Sequence, residues 1–178
     1  MSNTTRYGII GAGMMAQEHI QNIYLLDDAA VTAVCDPVRS SLTWAESTMR
    51  SIDGANADAV QYFTDHRDML AKADLDAIII ASPNFTHIDI LRDTMQTDLA
   101  HLVEKPMCTT MEDALEIEER VKSFDPVFWV GLEYRYMPPV ARLVAEIRGG
   151  FAGNLRMLAI REHRFPFLKK VDDWNRFN

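Results

Sequence analysis

At residues 7–16 the chain reads Tyr7-Gly-Ile-Ile-Gly-Ala-Gly-Met-Met-Ala16. The apolar residues at its start predict a short buried strand, and the pattern Gly11-x-Gly13-x-x-Ala16 predicts a tight turn that runs straight into a helix. A strand, a glycine-rich turn and a helix in this order are the fingerprint of a dinucleotide-binding βαβ unit. The stretch therefore predicts an α/β fold that begins with a nucleotide-binding loop.

Each small residue of this loop has a physical role. Gly11 permits the tight turn, Gly13 lets a pyrophosphate approach a backbone without a side chain, and Ala16 lets the helix pack close to the strand. In the first turn of the helix, at Met14 and Met15, free backbone N–H groups face the phosphates. We expect the two glycines and the two methionines to contact the cofactor.

A second apolar run at 30–35 ends at Asp36, about 20 residues after the glycine loop, where a ribose-binding acid is expected. A carboxylate there accepts hydrogen bonds from the ribose hydroxyls and repels a 2′-phosphate, which favours NAD. Arg39 is close enough along the chain to accommodate that phosphate, so NADP stays open. The alternative interpretation is a strand–turn–helix in another kind of α/β protein, in which Asp36 only begins a loop.

The composition excludes several classes of protein. The 178 residues are 48% hydrophobic and 25% charged, which is typical of a globular chain with one domain and part of a second. A net charge of −8 without a basic stripe argues against a nucleic-acid partner. The longest apolar run, 77–81, is too short to span a membrane. Cys35 and Cys108 show neither metal-ligand spacing nor a disulfide framework, so we expect a cytoplasmic protein without a metal site, in which Cys35 is a small core residue.

Apolar strand segments and amphipathic helices alternate through residues 1–132, which predicts a Rossmann-type, doubly wound parallel sheet. In the first helix, the predicted buried stripe consists of Met15, His19, Ile23 and Leu26. The predicted strands are 7–10, 30–35, 60–63, 75–81, 100–103 and 127–130, and the predicted helices are 14–26, 40–52, 66–72, 87–97, 111–123 and 140–148.

Polar residues gather where these strands end, and ligands bind parallel sheets at that edge, at the switch point in strand order. A lysine there can hydrogen-bond a substrate hydroxyl or carbonyl oxygen and relay a proton, so Lys105 is the candidate catalytic residue. Its alternative is a surface lysine in a Lys-Pro turn. The residues at the strand ends are Gly11, Gly13, Asp36, Ser82-Pro-Asn84, Glu104-Lys105-Pro106 and Glu133-Tyr-Arg-Tyr136.

Residues 133–178 are predicted to begin a second α/β domain. A glycine cluster ends the helix at 140–148, and the segment 154–162 alternates in the manner of a half-buried antiparallel strand. The tail that follows supplies no partner strand, and one strand cannot make a stable sheet. We therefore expect the truncated start of a domain with an antiparallel sheet.

In this order, the motifs resemble the glucose–fructose oxidoreductase, inositol dehydrogenase and rhizopine-catabolism (Gfo/Idh/MocA) family. The resemblance implies an N-terminal Rossmann domain, a C-terminal α/β domain with an open antiparallel sheet, and a homo-oligomer. It also implies oxidation or reduction of a hydroxyl or carbonyl group on a sugar, inositol or related polyol with NAD or NADP. The matching motifs are Gly11-x-Gly13-x-x-Ala16, Asp36, Ser82-Pro-Asn84-x-x-His87, Glu104-Lys105-Pro106 and Tyr134-Arg-Tyr136.

The resemblance also assigns roles to single residues. Lys105 contacts the reacting oxygen and assists proton transfer, and Glu104 lies near the cofactor. Ser82, Asn84 and His87 belong to the segment that lines the cofactor cleft. For His87 the alternative is a residue at a helix start that backbone groups satisfy.

Further residues of the resemblance lie around the substrate side. Pro106 shapes the turn after Lys105, and a cis peptide bond is one means of doing so. Arg135 and Tyr136 reach the mouth of the active site, or they form a structural link between domains. Trp174 and Arg176 resemble a Trp-Arg pair that reaches toward the cofactor, although Asn175 separates them here.

The family's second catalytic segment, a glycine-rich stretch with an Asp and a His, has no counterpart before Asn178. Because hydride transfer needs the substrate held against the nicotinamide, we expect this chain to keep most of the cofactor site and to lose most of the substrate site. A non-catalytic dinucleotide-binding module or a regulatory sensor is therefore the alternative to a sugar or polyol oxidoreductase. A nucleotide-sugar or methyl-donor binding protein of the same fold is a third hypothesis, against which the Glu-Lys-Pro motif argues.

Overall fold

Six parallel strands form one sheet in the computed structural model, which describes residues 4–163. Numbered in chain order, the strands lie side by side as the third, second, first, fourth, fifth and sixth, so the chain runs outward in one direction from the first strand and then, from the fourth, in the other. This confirms the predicted Rossmann-type, doubly wound sheet. The strands are β1 (Thr5–Ile10), β2 (Ala29–Cys35), β3 (Gln61–Phe63), β4 (Ala77–Ile80), β5 (Ala100–Glu104) and β6 (Phe128–Gly131).

Helices follow the strands in alternation. The side chain of Asp65 caps the helix His66–Lys72 and that of Thr110 caps the helix Met111–Val121, because each accepts a hydrogen bond from a backbone N–H in the first turn of its helix. Short 3₁₀ helices lie at Ala57–Ala59, Asn84–Thr86 and Glu133–Tyr136. The α-helices are α1 (Met14–Ile23), α2 (Arg39–Arg50), α3 (His66–Lys72), α4 (His87–Thr94), α5 (Met111–Val121) and α6 (Pro138–Arg148).

The core consists of two apolar clusters, one on each face of the sheet. Successive residues of a strand point to opposite faces, so Ile9 belongs to one cluster and Ile10 to the other. The first cluster includes residues of α1 and α2, and the second includes residues of α3, α4 and α5. Helices on both faces explain why the central strand β4 is apolar throughout. Cys35 is buried in the second cluster, as predicted.

The buried face of α1 differs from the predicted stripe. It consists of Ala16, Gln17, Ile20 and Ile23. Leu26 lies beyond the end of the helix and is exposed, because the helix stops at Ile23 rather than at residue 26. Of the predicted stripe, only Ile23 is buried, while Met15 and His19 are half-buried. The prediction missed Ala16, Gln17 and Ile20.

The described residues divide into two compact units, 4–131 and 132–163. In the second unit, α6 forms where it was predicted, with Pro138 in its first turn. The predicted strand at 154–162 is wrong, since these residues are irregular and exposed. A strand needs a hydrogen-bonded neighbour, and the second unit contains none among the residues described here. Within residues 4–163, no helix combines the length and the apolar character needed to cross a membrane.

Candidate cofactor site and active site

The candidate site lies along the carboxyl edge of the sheet, at the point where the strand order changes direction. Strand β1 is the switch point, because it pairs with β2 on one side and with β4 on the other. Its last residue, Ile10, is opposite Cys35 of β2 and opposite Ile80 of β4. The loops after these three strands therefore begin side by side, which is where open α/β sheets bind ligands.

Gly11 is required at the first position of the glycine loop. Its φ angle is +92°, in the left-handed region that favours glycine. A Cβ atom at this position would lie 2.4 Å from the backbone nitrogen of Ser82. The loop thus packs directly against the backbone that follows β4.

Gly13 is different, because a Cβ atom there would meet no heavy atom within 4 Å. It is the N-cap residue of α1, and no side chain caps that helix. Met14 and Met15 form the first turn and are half-buried. Open space in front of an uncapped helix N-terminus fits a pyrophosphate group, which the free N–H groups would bind.

Asp36 holds the glycine loop and the start of α2 at the same time. Its Oδ2 atom accepts a hydrogen bond of 2.8 Å from the backbone N–H of Ala12, and its Oδ1 atom accepts one of 2.8 Å from Val38. Each carboxylate oxygen has a second lone pair, so both can still accept ribose hydroxyls. Arg39 is exposed at the start of α2 and forms no ion pair within residues 4–163.

The segment after β4 forms the next wall of the site. Ser82 is half-buried, and its hydroxyl lies 2.8 Å from the Thr86 hydroxyl, which donates to the Pro83 carbonyl at 2.7 Å. Asn84 is buried in the 3₁₀ helix that precedes α4. These short bonds fix the loop beside Gly11.

His87 is enclosed by backbone groups and is only 1% exposed. Its Nε2 atom lies 3.0 Å from the Ser82 carbonyl oxygen, and its Nδ1 atom lies 3.1 Å from that of Pro106. Burial lowers the pKa of the imidazole, and the neighbouring carbonyl oxygens oppose this only in part. The geometry corresponds to the alternative of a histidine held by backbone groups. A neutral imidazole has one N–H, so His87 donates to one of these two carbonyl oxygens, which belong to the loops after β4 and β5.

Glu104, the last residue of β5, is buried and paired with α1. Its Oε1 atom accepts a hydrogen bond of 2.8 Å from Nε2 of His19, and its Oε2 atom accepts one of 3.3 Å from the backbone N–H of Lys105. Burial raises the pKa of this carboxyl, but the bonds from His19 and Lys105 outweigh burial, and the net pKa lies below its ordinary value. Gly131 makes room for the pair, since a Cβ there would lie 3.3 Å from Oε1 of Glu104.

Lys105 is exposed immediately after this buried carboxylate. The peptide bond between Lys105 and Pro106 is cis. His87 thus holds the far side of the turn at Pro106, and Glu104 holds its near side. The arrangement presents an exposed lysine on a braced turn at the carboxyl edge of the sheet.

Two predicted substrate residues belong to the second unit. Arg135 and Tyr136 lie on the 3₁₀ helix Glu133–Tyr136 and are exposed. Within that unit, the neighbouring Tyr134 hydroxyl donates a hydrogen bond of 2.6 Å to Glu162. Trp174 and Arg176 lie outside the described residues.

Three residues of the site were not predicted as such: Gln17, His19 and Gly131. A glutamine four residues after Gly13 and a histidine on an otherwise apolar helix stripe are the signals that could have indicated the first two. Neither signal indicates which residue is the hydrogen-bond partner, because Glu104, for example, is 85 residues away from His19 along the chain. Gly131 gives no sequence signal beyond its place at a strand end.

The fold, the braced glycine loop and the acid at the end of β2 together define an NAD-binding Rossmann domain. The family model described as an oxidoreductase family with an NAD-binding Rossmann fold (GFO_IDH_MocA) matches residues 5–132. The chain therefore belongs to the Gfo/Idh/MocA oxidoreductase family, and its cofactor is NAD. The sequence prediction of this family is confirmed.

Relatives support the same assignment. Inositol 2-dehydrogenase of Pseudarthrobacter chlorophenolicus is 35% identical over 168 residues, which cover 93% of this chain and 47% of that protein. The rhizopine catabolism protein MocA of Rhizobium meliloti is 28% identical over 155 residues, which cover 86% of this chain and 45% of that protein. The chain thus spans about half the length of the curated relatives it matches.

Solved structures show the same architecture. Myo-inositol dehydrogenase from Lactobacillus casei, in complex with NAD(H) and myo-inositol, superposes with a TM-score of 0.73 at 27% identity and covers 84% of this chain and 43% of its own. The WlbA dehydrogenase from Bordetella pertussis, in complex with NADH and UDP-GlcNAcA, has a TM-score of 0.74 at 24% identity, with 84% and 43% covered. The second likeness concerns the fold alone.

Proposed function

We propose that this chain supplies the NAD-binding part of an oxidoreductase that acts on a CH–OH or C=O group of inositol, a sugar or a related polyol. The observation that supports the proposal best is Lys105, exposed on a braced turn at the same sheet edge as the glycine loop. Inositol dehydrogenases among the relatives favour the polyol class of substrate. When bound by these residues, NAD would supply the hydride acceptor or donor for this reaction.

In this proposal, residues of this chain have separate roles in binding the cofactor and in proton transfer. The N–H groups beside Gly13 bind the pyrophosphate, and Asp36 accepts the ribose hydroxyls. The Lys105 ammonium donates a hydrogen bond to the reacting oxygen of the substrate and moves its proton. Glu104 and His87 keep the lysine turn in position and do not contact the reacting atoms.

The proposal extends to the organisation of the protein. Residues 1–132 form the NAD domain, and residues 133–178 begin the part that binds substrate and associates into a homo-oligomer. Arg135 and Tyr136 contribute to the substrate side, and so do Trp174 and Arg176. A reducing, cytoplasmic setting is supported by the free thiols of Cys35 and Cys108.

The test is turnover by the intact protein with NAD and a panel of myo-inositol, scyllo-inositol and hexoses, followed by NADH absorbance. Lys105→Ala should lower turnover by roughly 100-fold or more, because proton transfer is lost, while the dissociation constant of NADH stays unchanged. Lys72→Ala is the matched control, since Lys72 is exposed at the end of α3 and pairs with Asp68.

Two outcomes would contradict the proposal in different ways. Full turnover of Lys105→Ala would remove this residue from the mechanism. NADH binding without turnover of any polyol or sugar would favour a non-catalytic dinucleotide-binding module.

A further inference from the structure

Gln17 braces the glycine loop from within α1. It is 5% exposed, and its side-chain amide donates hydrogen bonds to the carbonyl oxygens of Ala12, at 2.9 Å, and Gly13, at 3.2 Å. One buried amide group therefore engages two successive carbonyl groups of the nucleotide-binding loop. Both of its N–H donors are used for this purpose.

The opposite side of the same loop is held by Asp36. Ala12 is fully buried, its N–H donates to Asp36, and its carbonyl accepts from Gln17. A trans peptide unit is planar, and its C=O and N–H bonds point in opposite directions. The carbonyls of Ala12 and Gly13 share their peptide units with the N–H groups of Gly13 and Met14. With both carbonyls turned toward Gln17, these two N–H groups point away from it.

We propose that Gln17 is a positioning residue for the pyrophosphate of NAD. Its side-chain amide sets the direction of the Gly13 N–H group through the Ala12 carbonyl, and it shares the Gly13 carbonyl, which sets the direction of the Met14 N–H group, with the backbone N–H of Gln17 at 3.3 Å. Stability alone does not account for a glutamine here. Its buried Oε1 atom has no hydrogen-bond partner within residues 4–163, and such an atom is costly. The proposal concerns the NAD site of the family and is independent of the proposed polyol activity.

The experiment compares Gln17→Met with Gln21→Met in the intact chain. Methionine keeps the length of the side chain and removes both donors, and Gln21 is exposed on the same helix one turn later. Three probes are titrated: NADH and ADP-ribose, which contain the pyrophosphate, and adenosine, which does not. Thermal unfolding of each variant is recorded alongside.

Gln17→Met should weaken NADH and ADP-ribose by roughly 5- to 50-fold, equivalent to one or two lost hydrogen bonds, and leave adenosine within about twofold. Its unfolding temperature should fall only modestly, because removal of the unpaired oxygen offsets part of the cost of leaving the Ala12 carbonyl without its donor. Gln21→Met should leave all three affinities unchanged. Equal loss for adenosine, or no loss for ADP-ribose, would overturn the proposal.

A measurement on the parent chain covers the case in which Gln17→Met does not fold. The side-chain amide protons of Gln17 should exchange with solvent more slowly than those of Gln21, and ADP-ribose should slow them further while adenosine does not. Exchange as fast as at Gln21, or no specific response to ADP-ribose, would overturn the role of Gln17.

Discussion

The glycine loop after β1 and the Glu104-Lys105-Pro106 turn after β5 lie at the same edge of the sheet but are held in different ways. The glycine loop is held by close backbone contacts, in which Gly11 donates to the Cys35 carbonyl at 2.8 Å and packs on Ser82, and by the side chains of Asp36 and Gln17. The lysine turn is held by two ionisable side chains, His87 on Pro106 and His19 through Glu104. The binding loop is therefore sensitive to added atoms as well as to the loss of its polar partners, whereas the lysine turn is sensitive to the loss of polar partners and charge.

The largest effect is expected for Gly11→Ala. The new Cβ would clash with the Ser82 backbone and force a strained positive φ, so we expect a loss of about 2–6 kcal/mol in unfolding free energy. Chemical denaturation measures the loss, and NADH titration at low temperature shows whether the remaining folded protein binds.

Gly13→Ala is the control within the same loop. Its Cβ enters open space, so the unfolding free energy should change by about 1 kcal/mol or less, while NADH affinity falls roughly tenfold or more. If both alanine variants unfolded alike, the two glycines would not have the separate roles that the geometry gives them.

Asp36→Ala tests whether cofactor choice can be separated from the integrity of the loop. The substitution leaves the N–H groups of Ala12 and Val38 without their acceptor, so NADH affinity should fall roughly 10- to 100-fold. Because the negative charge is lost, the ratio of NADH affinity to NADPH affinity should fall. The NADPH affinity itself should not exceed that of the parent. Titration of both nucleotides measures this.

Arg39→Ala is the companion variant. Arg39 is exposed and its side chain braces no part of the loop, so its removal should lower NADPH affinity and spare NADH. An Asp36→Ala variant that bound NADPH more tightly than the parent would show that Asp36 only repels phosphate and does not brace the loop.

The last expected effect concerns the acid response of the lysine turn. The pKa of Glu104 in the folded protein lies below its ordinary value of 4.5, so its contribution to stability is present above that pH. The contribution is lost as the pH falls through the lower, folded-state pKa, because the unfolded chain then binds the proton more readily. Glu104→Gln should cost about 1–3 kcal/mol at neutral pH and flatten the acid limb of the unfolding curve.

His19→Gln is the matched change on the other side of the pair, and denaturation from pH 7 to 3 measures both variants. An acid limb as steep in Glu104→Gln as in the parent would assign the acid response to other carboxylates. In folded Gly13→Ala, the NADH affinity should not change over the pH range in which Glu104 is protonated. That result would show that the glycine loop does not share the acid response of the lysine turn.

Much of the fold was predictable from local patterns, because the periodicity of strands and helices can be recognised in the order of consecutive residues. All six strands and all six helices form close to their predicted positions, and helix α3 has the predicted bounds. The failures have separate causes. The segment 154–162 has strand periodicity but no neighbouring strand in its unit within residues 4–163, and the stripe through Leu26 assumed a helix longer than α1.

By itself, the sequence determined the strand–glycine turn–helix unit, the acid after β2, the Glu-Lys-Pro motif and, through them, the family. Only the tertiary structure decided which side chains meet: His19 with Glu104, His87 with Ser82 and Pro106, and Gln17 and Asp36 on either side of Ala12. Periodicity specifies which face of a helix or strand is apolar, whereas a polar partner across the sheet edge depends on strand order and register. The strand order brings residues that are far apart in the chain within hydrogen-bond distance, and this order cannot be predicted from a local pattern.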